Sequence, residues 1–402
     1  MVLSADQRRG EEHRELRRLL EGRRGHTVSA EAVYLARACE LAARTIPDAA
    51  PNPPVGCVLV RDGTTLGEGW HHRRGEPHAE IEALRDARAQ GHDPRGATAY
   101  VSLEPCNQHG RTPPCSLALI EAGISRVVVG ALDPNPRTAE GGVRRLREAG
   151  IAVEVVDLPA ARTLIERFRW TITHERPYVT LKMAMSLDGY VAARPGERRQ
   201  LTGPAATERV RMLRWEHDAV LIGAGTVRVD DPLLTVRPHT TRRAPYHRVV
   251  ACETAPIPVT SRVLKPPPDA PPEAYARTIL LAPAGRRAEF AALEPLADVV
   301  YVGASDEGEL DLGQALLTLR RAREISSVLC EGGPTLAGRL LARGLVERIV
   351  WFVAPLLLRA EGAVPVLAGA EVAGHDGWRF DRIERVGEDM LLSADLTACS
   401  PA

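Results

Sequence analysis

His78 and Glu80 stand two residues apart, Cys106 follows 26 residues after Glu80, and Cys115 comes nine after that, behind Pro113-Pro114. One imidazole and two thiolates can hold a zinc ion and leave a fourth position open, while a glutamate beside them can move protons without being a ligand. That set predicts a catalytic zinc site of the kind that removes an amino group from a nucleobase-like ring. Zinc lowers the pKa of its bound water from about 15.7 towards about 7, so a hydroxide becomes available to attack an amidine-like carbon. Glu80 would then carry a proton to the departing amine. Both ligand stretches carry helix-start signals. Pro77 precedes His78 and the run Ala79 to Ala89, and Pro114 precedes Cys115 and the run Ser116 to Ala122, which stops at Gly123. A helix N-terminus under a cysteine favours its thiolate.

A lone His-x-Glu carries little information, and a lone buried cysteine is usually a small hydrophobe. The reading rests on the ordered combination, matched to the H-x-E…P-C pattern of zinc deaminases. Eight residues separate the cysteines here instead of two, so a longer loop joins the thiolates.

The elements that must position these residues follow from periodicity. After a charged extension over residues 1–28, with Leu16, Leu19 and Leu20 as its main apolar side chains, Ser29 is a candidate N-cap for a helix over 30–43. Strand and helix then alternate through 56–60, 79–89, 97–103, 115–122, 126–129, 141–149 and 152–156. Residues 160–173 read as one connecting helix, and Arg176-Pro177 opens a second α/β half. Its elements fall at 178–183, 204–215, 219–223, 277–281, 298–302, 311–323, 327–330, 336–343 and 348–353, interrupted by a Pro-rich loop over 256–272. Two strands of this half lead into paired glycines, Gly223-Ala224-Gly225-Thr226 and Glu331-Gly332-Gly333-Pro334-Thr335. Backbone amides and a helix N-terminus could there approach a phosphate. Taken alone, each is better explained as a tight structural turn.

At 402 residues the chain can bury two cores, and 52 basic against 52 acidic residues give no net charge, which argues against a nucleic-acid groove. Of seven cysteines, five lie outside the zinc set, an odd and scattered number that fits a reduced, cytoplasmic protein. The first 25 residues lack a secretory apolar core, and the longest apolar run, 349–358, is far short of the ~20 residues of a membrane helix. Arginine has nearly displaced lysine, leaving only Lys182 and Lys265.

The loop Glu104-Pro-Cys-Asn-Gln-His-Gly-Arg-Thr-Pro-Pro-Cys115 closely resembles the bifunctional riboflavin-biosynthesis deaminase/reductase family. So do Pro51-Asn52-Pro53-Pro54-Val55-Gly56, Gly75-Glu76-Pro77-His78-Ala79-Glu80 and Asp133-Pro134-Asn135-Pro136. Asn107 and Gln108 depart from the family's Ser-His. In the second half, Lys182 through Gly189, Leu201-Thr202-Gly203-Pro204, Gly223 through Arg237 and Glu331 through Leu336 resemble the reductase part in the same order.

The resemblance implies an N-terminal cytidine-deaminase-like three-layer domain over 29–160, a linker over 161–176 and a dihydrofolate-reductase-like domain over 177–402. It implies zinc on His78, Cys106 and Cys115, Glu80 as proton carrier, and Asn52 at the substrate. It further implies NADPH along Ala184, Gln200, Thr226, Asp230 and the turn Gly333, Pro334, Thr335, Leu336, Ala337, Gly338 and Arg339. Lys182 would sit at the reacting end, with Arg198, Arg214, Leu234, Arg237 and Glu331 near the sugar phosphate, where two guanidiniums suit a phosphate monoester. Arg198, Gln200 and Arg359 replace the family's Ser, Trp and Gly. The implied activity is hydrolytic deamination of a diamino-ribosylaminopyrimidinone 5'-phosphate, followed by reduction of its ribosyl group to ribityl. The expected partner is that small pyrimidine ribotide, without nucleic acid or membrane, and a homo-oligomer is allowed. The rivals are a specialised-metabolite paralogue with an altered reductase, a nucleic-acid base deaminase, and a non-catalytic NADPH-binding scaffold. Zero net charge and the attached reductase pattern disfavour the base deaminase, and the complete zinc set disfavours the scaffold.

Overall fold

The structure, a computed structural model, describes residues 30–108, 113–197, 199–236, 245–268, 270–305, 309–369, 371 and 377–396. The charged extension, Arg198 and Arg237 lie outside the described residues. The chain divides into two compact units at Arg169/Trp170.

The first unit is built on five strands: β1 (Gly56–Arg61), β2 (Thr64–Trp70), β3 (Thr98–Val101), β4 (Arg126–Val129) and β5 (Ala152–Val155). Their order is β2-β1-β3-β4-β5, with β1 antiparallel to both neighbours and β3, β4 and β5 parallel. Alternation along the strands sends Leu59, Val101, Val127 and Val129 to one face and Val58, Tyr100 and Val128 to the other. Both faces are covered by helices, which makes three layers.

Strand β2 escaped the sequence reading, although Asp62-Gly63 is a strong hairpin signal and both residues adopt positive φ, 51° and 75°. Its segment, Thr-Thr-Leu-Gly-Glu-Gly-Trp, has little β propensity because two positions are reserved for contact. A Cβ on Gly67 would lie 2.5 Å from Ala83 O, and one on Gly69 would lie 2.2 Å from Ala83 N. The helix Ala79–Ala89 therefore rides on β2 at backbone distance, through Ala79, Ala83 and Ala87. In the same way Gly56 admits the helix Ala30–Ala43, with a Cβ 2.0 Å from Ala38 O. The presumed single helix over 160–173 is corrected to two, Pro159–Leu164 and Glu166–Thr173. The chain leaves helical geometry at Ile165 (φ −98°, ψ 7°), whose side chain is buried with Cys39, Leu103 and Ala161.

The second unit contains β6 (Tyr178–Ser186), β7 (Tyr190–Ala192), β8 (Ala219–Gly223), β9 (His247–Ala251), β10 (Ile279–Pro283), β11 (Asp298–Val302), β12 (Ser327–Gly332), β13 (Arg348–Ala354), β14 (Val364–Pro365), β15 (Trp378–Val386) and β16 (Asp389–Leu396). Nine form one sheet in the order β11-β10-β9-β8-β12-β6-β13-β16-β15, parallel as far as β13, while β7 and β14 pair separately. Leu181, Leu221, Val249, Leu281 and Val328 pack on one face, and Val220, Ile222, Val250 and Leu280 on the other. The Pro-rich segment is a loop carrying two short 3-10 turns, Arg262–Leu264 and Pro272–Ala274. Among the described residues no helix is long and apolar enough to cross a membrane.

Gly69→Ala tests the helix-on-strand contact. Overpacking of this kind costs about 1–3 kcal/mol, so we expect thermal denaturation of the first unit at a lower temperature, with zinc lost more readily because His78 and Glu80 ride on the displaced helix. An unchanged melt would show that the helix can lift off β2 freely.

Candidate active sites

In the first unit His78 is the N-cap of the helix Ala79–Ala89, and Cys115 opens the helix Cys115–Glu121 directly after Pro114. Cys106 lies on the loop beyond β3. Its Sγ is 3.5 Å from His78 Nδ1 and accepts the Cys115 backbone N–H at 3.4 Å, and Cys115 Sγ is 3.2 Å from the same Nδ1. The three ligand atoms lie within 4.8 Å of one another. Tetrahedral zinc with bonds of about 2.0–2.3 Å places its ligands roughly 3.5 Å apart, so the donor set and its spacing fit that ion.

Glu80 is 2% exposed, and burial, aided by Cys106, pushes its carboxyl up to about 7. The hydrogen bond from the Cys115 thiol holds Cys106 down, and the same bond pushes Cys115 up. His78 is raised by its contact with Cys106.

Three surrounding groups, around Glu104, His71 and Ser116, fix this geometry, a role that none of them was given from sequence. Glu104 accepts backbone N–H groups from Asp133, Glu140, Gly142 and Val143 at 2.9–3.1 Å, tying the Cys106 loop to the start of the helix Gly141–Glu148. His71, 2% exposed at the end of β2, meets the Pro77 carbonyl through Nδ1 and Asn52 Nδ2 through Nε2, both at 3.1 Å, and its ring stands edge-on to His78 at 5.2 Å. Burial lowers its pKa. Asn52 thus reaches the metal set through His71. Ser116 Oγ donates to Asn107 Oδ1 at 2.9 Å, joining the residues that follow the two cysteines. The only sequence clue to His71 was its place seven residues before His78.

The second unit holds a cavity of about 860 Å³ lined by Lys182, Ala184, Gln200, Arg214, Thr226, Asp230, Leu234, Glu331, Gly333, Pro334, Thr335 and Leu336. Its floor is the turn after β12, where Gly332 and Gly333 adopt φ of 70° and 92°. A Cβ on Gly332 would lie 2.9 Å from Met183 Sδ, and one on Gly333 3.0 Å from Thr226 Oγ1, which itself donates to the Gly332 carbonyl at 3.2 Å. Beyond the turn the helix Pro334–Ala342 presents its N-terminus. The cavity's size and the helix start at its wall suit a dinucleotide phosphate.

Arg214 and Glu331 form a two-pronged ion pair, Nε to Oε1 and Nη2 to Oε2, the latter at 2.9 Å, and Arg214 Nη1 donates to the Thr235 carbonyl at 3.1 Å. Burial would raise Glu331, but Arg214 and Lys182 hold it below the usual carboxylate range. Lys182 is lowered by burial, with Glu331 opposing and Arg214 adding to the shift. Its Nζ lies 5.7 Å from the Phe352 ring centroid. Asp389 accepts the Gly203 N–H at 2.8 Å and so holds the entry to the helix Pro204–Glu216.

Ala337, Gly338 and Arg339, grouped with the turn along the cofactor, are not among the residues lining the cavity. Ala337 is in the core, a Cβ on Gly338 would strike Ala368 O at 2.1 Å, and Arg339 is paired with Glu253 and Glu309. Past its first residues the helix carries these positions away from the cavity and into the packed interior. Gln200 lines the cavity with its amide directed to Thr202 O and Thr207 Oγ1.

Residues 29–131 match the family model of the cytidine and deoxycytidylate deaminase zinc-binding region, and residues 177–392 match that of the RibD C-terminal domain. The riboflavin biosynthesis protein RibD of Escherichia coli is 39% identical over 374 residues, covering 89% of this chain and 97% of that protein. Its counterpart in Aquifex aeolicus is 37% identical over 360 residues, covering 89% and 96%. Among solved structures, a diaminohydroxyphosphoribosylaminopyrimidine deaminase/5-amino-6-(5-phosphoribosylamino)uracil reductase of Thermotoga maritima superposes with a TM-score of 0.77 at 33% identity, covering 92% of this chain and 100% of that one. A RibD of Acinetobacter baumannii gives 0.73 at 34%, covering 92% and 99%.

Glu104→Gln keeps the shape of the side chain but turns an NH2 towards backbone donors. The expected result is normal folding with faster zinc loss to a chelator than in the wild type, read by a colorimetric zinc indicator. Equal zinc retention would show that the Cys106 loop does not depend on Glu104.

Proposed function

Because the chain belongs to the bifunctional riboflavin-biosynthesis deaminase/reductase family, we propose that its first unit deaminates a diamino-ribosylaminopyrimidinone 5'-phosphate and its second reduces the ribosyl group of the product with NADPH. The observation that carries this reading is the His78–Cys106–Cys115 cluster beside buried Glu80, in one chain with a glycine-floored cavity that contains Lys182.

His78, Cys106 and Cys115 would hold zinc, which when bound supplies Lewis-acid activation of water. Glu80, poised near neutrality by burial, takes a proton from the attacking water and returns it to the leaving amino nitrogen. His71 holds Asn52 oriented towards the ring to be bound. In the second unit the Gly332-Gly333 turn and the helix start at Pro334 would receive a phosphate of NADPH, which supplies hydride when bound. Lys182, made more acidic by burial, holds a proton at Nζ for the atom released at the sugar's anomeric carbon. Glu331 fixes Arg214 and balances its charge. The small substrate agrees with zero net charge, and the reduced cysteines and bacterial biosynthetic relatives support a cytoplasmic place.

Glu80→Gln should retain about one zinc per chain and release almost no ammonia from the pyrimidine substrate. Normal turnover would remove Glu80 from the proton path, and loss of the metal would make it structural. Cys106→Ser should abolish deamination and leave NADPH affinity, followed by fluorescence titration, within a few-fold of wild type, because each unit has its own core. Joint loss of both would overturn that independence.

A further inference from the structure

We propose that His217 is a positioning residue for the reduction: by tying the last turn of the helix Pro204–Glu216 to β6 at Thr180, it fixes where the Arg214–Glu331 pair stands relative to Lys182. The inference rests on the reductase reading and deepens it, since it assigns the placement of that reading's proton donor to a fully buried side chain.

His217 follows directly on the helix that carries Arg214. Its Nδ1 lies 2.7 Å from the Leu213 carbonyl, which can only accept, so Nδ1 carries the proton, and Nε2 pairs with Thr180 Oγ1 at 2.9 Å. Thr180, buried as completely as the imidazole, stands two residues before Lys182. Their side chains therefore leave β6 on the same face, about 7 Å apart along the strand. The imidazole is a spacer of fixed length: one nitrogen is bonded to the helix one residue from Arg214, the other to the strand that carries Lys182.

The next residue ties the same corner to a second strand. Asp218 Oδ2 accepts the Ser326 and Ser327 backbone N–H groups at 2.9 Å and the Ser327 hydroxyl at 3.1 Å, and the Asp218 N–H donates to Ser327 Oγ at 3.0 Å. Ser327 opens β12, which carries Glu331. The dipeptide His217-Asp218 is thus bonded to the helix, to β6 and to β12, the three elements that hold Arg214, Lys182 and Glu331. A core histidine with both nitrogens bonded is ordinarily packing alone, but here the two bonds join elements whose charged groups must meet. What depends on that registry is the charge balance at Lys182. Glu331 and Arg214 act on its ammonium in opposite directions, β13 presents Val350 and Phe352 on the same face, and the other charged residues lining the cavity are Arg194, Glu197, Arg199 and Asp230. If the helix slips from β6, the repulsion by Arg214 weakens and water reaches Nζ, and both changes make Lys182 a weaker acid.

The chain has one other lysine, Lys265, which is exposed, so full-length protein labelled with carbon-13 at lysine Cε gives two resonances, and Lys265→Arg assigns them. Lys182 is then titrated directly by NMR, without substrate or turnover. Thr180→Val keeps the shape and loses the hydroxyl, and His217→Asn keeps a donor for Leu213 alone. In both, the Lys182 midpoint is expected to rise by about half a pH unit or more, and kcat for NADPH-dependent reduction to fall about tenfold, with its alkaline limb moved the same way. Thr180→Ser and His217→Gln keep a partner across the gap and should stay near wild type. Val250→Ala, in a different core cluster, controls for general loosening: it should lower the melting temperature and leave the midpoint in place. Should His217→Asn fail to fold, Thr180→Val decides alone. An unchanged midpoint in Thr180→Val overturns the proposal, as does an equal rise in Val250→Ala. The reductase reading fails separately, if wild-type protein does not oxidise NADPH with the deaminated riboside phosphate, and the Lys182 midpoints still decide the positioning role.

Discussion

The metal-binding set depends on a buried carboxylate that touches none of its ligands. Glu104 gathers four backbone N–H groups, two from the segment between β4 and the helix Gly141–Glu148 and two from that helix's first turn. Cys106 follows it by two residues, so the thiol inherits a position fixed by hydrogen bonds to a separate loop and helix start. The carboxylate also meets a helix N-terminus, where aligned amides favour negative charge. The approach leaves no slack: a Cβ on Gly142 would lie 1.8 Å from Pro105 O. A carboxylate at 104 and a bare backbone at 142 are thus two halves of one requirement, and both serve the distance between Cys106 and His78.

The same reliance on close backbone approach sets the other ligand. His78 and Glu80 sit on the first turn of a helix that the glycines of β2 draw onto the sheet. Packing at that distance buries Glu80, and burial is what carries its carboxyl towards neutrality. The close approach at Gly67 and Gly69 therefore also sets the burial of Glu80. In the second unit the Arg214–Glu331 pair has the corresponding role. Two buried charges seldom add stability over an apolar pair, but they fix each other's geometry at the cavity wall.

Where local pattern determined structure, the sequence was legible. The helices at 30–43 and 79–89 and the strands at 126–129, 219–223 and 298–302 were read to the residue, because a proline or a turn signal bounded an uninterrupted apolar period. Strand β2 was hidden by glycines chosen for packing. The hairpin β15–β16 was hidden by charge, since Arg379, Asp381, Arg382, Glu384 and Arg385 mark β15 as a solvent-facing edge with no apolar alternation. The ligands and the glycine turn were visible as motifs. The role of Glu104, though it opens the recognised loop, was not, nor were those of His71 and Asp389, because each acts through hydrogen bonds to residues remote in sequence. Nor could sequence show that Arg339 faces Glu253 and Glu309, or that Arg214 arrives already paired.

The departures from the family pattern can be ranked by what each side chain does. Arg359 replaces a glycine yet supplies only its backbone N–H, which donates to Asp188 at 2.8 Å, and its φ is not positive, so the added side chain is tolerated. Asn107 replaces a serine and uses its longer side chain to accept from Ser116, tightening the link between the cysteine loops while leaving the ligands untouched. Gln200 is different in kind. It lines the cavity where the pattern has an indole, and its amide bonds to Thr202 and Thr207 instead of offering an aromatic face. Substitutions at positions where the backbone makes the contact leave the chemistry in place, whereas one that removes a surface from the cavity wall must be balanced by a neighbour. The arginines at 194 and 199 line that same cavity, so charged side chains stand beside the position where the aromatic surface was lost.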